Sequence, residues 1–98
     1  MNGYRVEPGE VESVIAGVTG VRRAAVVGVK VAASTQLAAF YTRATGAEVD
    51  RDDLIHACVS GLPRFMVPRH FIELEELPST RNGKIDRAKL RGRSRSLR

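Results

Sequence analysis

Val11, Val14, Ile15 and Val18 fall three and four residues apart, which is the spacing of one helical face. Pro8 sits where a first helical turn tolerates proline, because its fixed φ suits the turn and its missing N–H is not needed there. Glu10 and Glu12 follow where the helix dipole favours carboxylates, and Gly17 and Gly20 bracket the exit. The pattern predicts a helix from about Pro8 to Val18, preceded by a short extended stretch from Tyr4 to Glu7. Two β-branched runs come next, Arg23 to Val31 and Gln36 to Arg43, with Ala-Ala-Ser-Thr between them. They predict an antiparallel hairpin. After a loop at Gly46 to Val49, Asp50 is a good N-cap, and Leu54, Ile55, Cys58, Val59 and Leu62 form an apolar stripe that Pro63 ends. His70 to Leu74 predicts a third strand, Pro78 and Asn82-Gly83 are turn punctuation, and Asp86 is placed to cap a last helix through Leu90. The expected fold is a single α+β domain: a small sheet, made of the antiparallel hairpin plus a further strand, packed with two to three helices.

Composition narrows the function. At 98 residues the chain is one domain, able to bury roughly two-thirds of its unfolded surface. A hydrophobic share of 43% against 28% charged residues is globular and argues against wholesale disorder. No apolar run approaches the ~20 residues of a membrane-spanning helix, so no membrane role is expected. A single cysteine, Cys58, excludes an internal disulfide framework, and two separated histidines give no metal cluster, so no metal site is expected. A reducing, cytoplasmic setting is the default expectation for such cysteine usage. Cys58 itself lies on the apolar stripe and reads as an inert core thiol.

The net charge of +5 is unevenly spread. Residues 1–80 carry eight basic and ten acidic residues, a balance of −2, whereas residues 81–98 carry eight basic residues against Asp86 alone, a balance of +7. Such asymmetry suits an acidic partner or nucleic acid. Yet aromatics are only 5% of residues, with no tryptophan, which leaves little for stacking bases and makes nucleic acid an unfavoured partner. Residues 91–98 lack apolar periodicity and read as a basic, disordered tail after a domain of residues 1–90.

Three stretches are unusual for so short a chain: Gly3-Tyr4-Arg5-Val6-Glu7-Pro8-Gly9-Glu10-Val11-Glu12, Leu62-Pro63-Arg64-Phe65-Met66-Val67-Pro68, and Leu77-Pro78-Ser79-Thr80-Arg81-Asn82-Gly83-Lys84-Ile85-Asp86-Arg87. Taken singly, each has a plain structural reading. Together, in this order, they closely resemble the C-terminal subdomain of the adenylate-forming (AMP-binding) superfamily, which includes acyl-CoA synthetases, luciferases and nonribosomal peptide synthetase adenylation domains. The resemblance covers Gly3 to about Leu90, and its phrasing is most like a peptide-synthetase adenylation domain or an acyl-CoA synthetase.

That resemblance implies a mobile lid over a large N-terminal core, which holds ATP, Mg²⁺ and a carboxylic acid. Lys84, presented by Asn82 and Gly83, would be the catalytic lysine of carboxylate activation. The motif residues Gly3, Tyr4, Arg5, Glu7 and Gly9 would form the face used when the thiol of coenzyme A or of a carrier protein's phosphopantetheine arm enters. The implied partners are the N-terminal adenylation core and that carrier protein or coenzyme A. From the residues alone, Glu7, Glu10 and Glu12 read as helix-dipole partners and solvated charges, with Arg5 able to pair with one of them, and Leu62 to Pro68 reads as a connector packing Phe65 and Met66 into the core. The family's phosphate loop and acid pocket are not in this sequence, and Met1-Asn2 stands where relatives carry the hinge, so the chain is expected to be inactive without its core. The alternative from another class is a small basic binding module for nucleic acid or an acidic protein, without catalysis.

Overall fold

The computed structural model describes residues 7–31 and 34–94. Helix α1 spans Pro8–Ala16, strand β1 Val21–Val31, strand β2 Ser34–Arg43, helix α2 Arg51–Gly61, strand β3 His70–Glu73 and helix α3 Arg87–Ser94, with a single 3₁₀ turn at Arg64–Met66. The sheet order is β1-β2-β3. β1 and β2 are antiparallel, with Val26 opposite Ala39, and β3 runs parallel to β2, with Ala39 opposite Phe71. The α+β expectation of a hairpin plus one further strand therefore holds. The stretch from Tyr4 to Val6 and positions 32–33 of the connection lie outside the described residues.

Both faces of the sheet are covered, and the two-residue period of the strands decides which side chain goes where. Val26, Leu37, Ala39, Tyr41 and Phe71 face α1 and α2, packing against Val11, Ile15, Leu54, Cys58, Leu62 and Met66. Ala25, Val27, Ala38 and Phe40 face the other way, onto Leu77 and Leu90, with Ile72, Leu74 and Ile85 beside them. Burial on both faces explains why the central strand reads as a nearly continuous apolar run. At the far end of the sheet, Arg43 clasps the β2–β3 pair: its Nε lies 2.9 Å from Glu73 Oε2 and its Nη1 donates to the Ala47 carbonyl at 3.1 Å. No helix among the described residues is long and apolar enough to cross a membrane.

Four details differ from the sequence reading. The strands are longer than the β-branched runs: β1 begins at Val21 and β2 takes in Ser34 and Thr35, so the hairpin connection is shorter than Ala-Ala-Ser-Thr. The α2 stripe is narrower, because Leu54, Cys58 and Leu62 are buried while Ile55 and Val59 are exposed. Residues four apart stay on one face, whereas positions 55 and 59 stand about 100° around the helix from it. Phe65 is also exposed, 42% against 3% for Met66. With three residues per 3₁₀ turn, adjacent side chains diverge by ~120°, and only one of the two enters the core. Finally, α3 runs past Leu90 to Ser94, so residues 91–94 are helical rather than tail. Lys and Arg are good helix formers, and cations in a last turn complement the dipole.

Burial accounts for the chemistry of Cys58. Its side chain is inaccessible, and desolvation pushes the thiol pKa from the ordinary 9.0 up to about 11. An unfolded chain would ionise first, so stability is full below pH ~9 and declines as pH rises through ~11, by at most about 2–3 kcal/mol. Urea melts between pH 8 and 11 should show this decline, and Cys58→Ala should lose that component of it while lowering stability at pH 7.

Candidate functional site

The lysine turn is assembled by short-range hydrogen bonds. Ser79 and Ile85 pair as an antiparallel bridge, and around them the chain closes tightly. The Thr80 amide donates to the Lys84 carbonyl at 2.6 Å, the Gly83 amide to the Thr80 carbonyl at 2.9 Å, and the Lys84 amide to Thr80 Oγ1 at 3.3 Å. Gly83 has φ +82°, the left-handed conformation that follows a tight turn in a three-residue hairpin loop. Asn82, Gly83 and Lys84 are all exposed at the tip. Behind them the Asp86 amide donates to the Pro78 carbonyl at 2.9 Å, and Asp86 Oδ1 accepts from the Lys89 amide at 3.1 Å. Asp86 therefore caps α3 as the sequence suggested, and Ile85 packs the turn onto the sheet. The result is one ammonium on a flexible stem, raised on a rigid platform.

The other motif residues are distributed around the start of α1. Glu7 is the N-cap, extended and exposed, without a capping bond from its side chain. Gly9 is exposed, and a Cβ built on it would meet nothing within 4 Å among the described residues. Gly3, Tyr4 and Arg5 lie outside the described residues.

What the residue-by-residue reading missed is Glu12. It is not a solvated dipole partner. Its Oε2 accepts from the Val26 amide of β1 at 2.8 Å and from Arg87 Nη2 at 2.5 Å. Its side chain is 18% exposed, and that of Arg87 37%. The first and third motifs thus meet through a contact between residues 75 apart in sequence. The signal available in the sequence was slight: Glu12 adjoins Val11 on a helix whose apolar face is buried, which places it at the edge of that face.

A family model described as the AMP-binding enzyme C-terminal domain matches residues 10–84. The chain belongs to that family. Among relatives of this AMP-binding C-terminal domain is a polyketide synthase, PksN, of Bacillus subtilis, 39% identical over 95% of the chain but only 2% of the synthase. ATP-bound MatB of Rhodopseudomonas palustris superposes with a TM-score of 0.89 at 30% identity, covering 97% of this chain and 19% of that one. A four-domain nonribosomal peptide synthetase bound to AMP and glycine superposes with a TM-score of 0.77 at 36% identity, over 88% of the chain and 6% of the synthetase. The domain spans a small fraction of every one of these proteins.

Two glycines of the domain make opposite predictions. Gly83→Ala should destabilise it by about 1 kcal/mol, because a side chain at positive φ is strained even with space around it. Gly9→Ala should be neutral or stabilising by up to ~0.5–1 kcal/mol, because it replaces an unhindered helical glycine. Denaturant midpoints of the two variants check both signs.

Proposed function

We propose that this AMP-binding C-terminal domain is the lid of an ATP-dependent acyl- or aminoacyl-adenylating ligase. In this reading Lys84 serves carboxylate activation, and the Tyr4-to-Gly9 face serves the later entry of a pantetheine thiol. The observation that carries it is the turn: an exposed lysine at the tip of a loop whose backbone is closed by hydrogen bonds. The AMP and glycine of the four-domain synthetase and the ATP of MatB support the class of reaction.

The chemistry asks for such a group. A carboxylate oxygen attacks the α-phosphorus of ATP, an O–P bond forms, and the bond to pyrophosphate breaks. The two reactants are both anionic, and negative charge builds on the phosphoryl oxygens. An ammonium between them offsets the repulsion and orients the attack. Lysine suits the task because it is a compact charge on a long stem.

ATP and its Mg²⁺ belong to the N-terminal core in this scheme. Among the described residues no group of three or more His, Cys, Asp or Glu side chains is placed to hold a metal ion. The acceptor is coenzyme A or the phosphopantetheine arm of a carrier protein, in the cytoplasm. Gly9 supports the second role. Among the described residues nothing lies within 4 Å of a Cβ placed there, which leaves the backbone of this first turn open to close approach.

The test uses the full-length protein with Lys84→Ala. Adenylate formation, followed by ATP–pyrophosphate exchange, should fall by about 10²-fold or more. Thioester formation from preformed adenylate should change far less, and Lys84→Arg should rescue poorly, because a planar guanidinium does not replace a point charge. Unchanged adenylation would remove Lys84 from the mechanism.

A further inference from the structure

Helix α3 is eight residues long, and Leu90 is its one fully buried side chain among the described residues. Leu90 fixes the helix to the sheet at one buried point. Three residues earlier on the same face, Arg87 adds a charged anchor by binding Glu12 of α1. Glu12 is itself held, because the same oxygen accepts the Val26 amide of the edge strand β1. Helices α1 and α3 lie on opposite faces of the sheet, so this contact reaches around its open edge. Arg87 follows Lys84 by three residues, with Asp86 tying the intervening backbone to Pro78. Helix α3 and the lysine turn are therefore joined by a two-residue, hydrogen-bonded stretch of backbone.

We propose that Glu12 and Arg87 are positioning residues for Lys84, setting the direction from which it enters the active centre. The proposal rests on the reading of Lys84 above, and it adds a role for the contact between the first and third motifs. The physical case is the steep dependence of catalysis on geometry. A displacement of ~1 Å at a catalytic group can cost up to 10²-fold in rate. A charge-assisted bond between partly buried partners is among the few side-chain contacts strong and directional enough to prevent one.

The experiment measures both half-reactions in the full-length protein for Arg87→Met, Lys84→Ala and the double variant. Arg87→Met should lower kcat for adenylation by about tenfold or more, with KM for ATP and the thioester half-reaction within about twofold of the parent. In the Lys84→Ala background it should add less than about twofold, because a positioning group has no effect once the group it positions is gone. Arg87→Lys, which keeps a cation, should recover part of the rate. Glu12→Gln keeps an oxygen for the Val26 amide and removes the charge. It should give the same one-sided loss, and it carries the test if Arg87→Met does not fold. Equal losses in both half-reactions, additivity with Lys84→Ala, or unchanged adenylation would each overturn the proposal. If Lys84→Ala itself leaves adenylation unchanged, the reading of Lys84 fails and the positioning role with it. If only the Arg87 and Glu12 variants are silent, the positioning role fails alone.

Discussion

A three-stranded sheet buried on both faces still has two edges, and an edge is a row of backbone donors and acceptors in search of partners. In this domain the long edge strand β1 gives its Val26 amide to Glu12, and Glu12 in turn holds Arg87. One carboxylate thereby joins α1, the sheet and α3. It satisfies a backbone group that would otherwise need water, and it neutralises an arginine at the point where two helical layers meet. Neither apolar cluster does this by itself, because each lies on its own side of the sheet. The relative placement of the two motifs depends on that junction.

The contrast between Lys84 and Cys58 shows how burial sorts reactive residue types. Cys58 is a nucleophile by chemistry, but desolvation holds its thiol neutral and the core leaves it nothing to reach. Lys84 has the opposite surroundings: an immobile backbone, an exposed side chain and a helix cap immediately behind it. Rigidity beneath a mobile cation is what a group delivered to a distant phosphate needs. Tyr41 behaves like Cys58, its phenol pKa raised chiefly by burial and further by Glu73 across the strand pair.

Much of this was legible in the chain. Pro8, Asp50 and Asp86 mark three helix starts, and each is observed. The β-branched runs became the hairpin, and Asn82-Gly83 marked the lysine turn, with Gly83 carrying the positive φ. What could not be read is whatever depends on partners far apart in sequence. Apolar periodicity places Ile55 and Val59 on a stripe, but packing against α1 and the sheet takes in only Leu54, Cys58 and Leu62. Phe65 and Met66 look equivalent in sequence, and the 3₁₀ turn separates them. Glu12 and Arg87 look like two ordinary surface charges until the fold brings them together. The resemblance carried by the three motifs was correct, yet it says nothing about how those motifs are tied to one another.

In the proposed cycle the turn delivers Lys84 to the reacting phosphate and later withdraws it. The most direct measurement is a structure of the full-length protein bound to a non-hydrolysable adenylate analogue, and a second bound to an analogue linked to the pantetheine thiol. In the first, Lys84 Nζ should lie within about 2.7–3.2 Å of the analogue's carboxyl or phosphoryl oxygens. In the second, Lys84 should be withdrawn, with the Gly9 end of α1 facing the thiol arm. Lys84 remote from the phosphoryl group in both structures would contradict it.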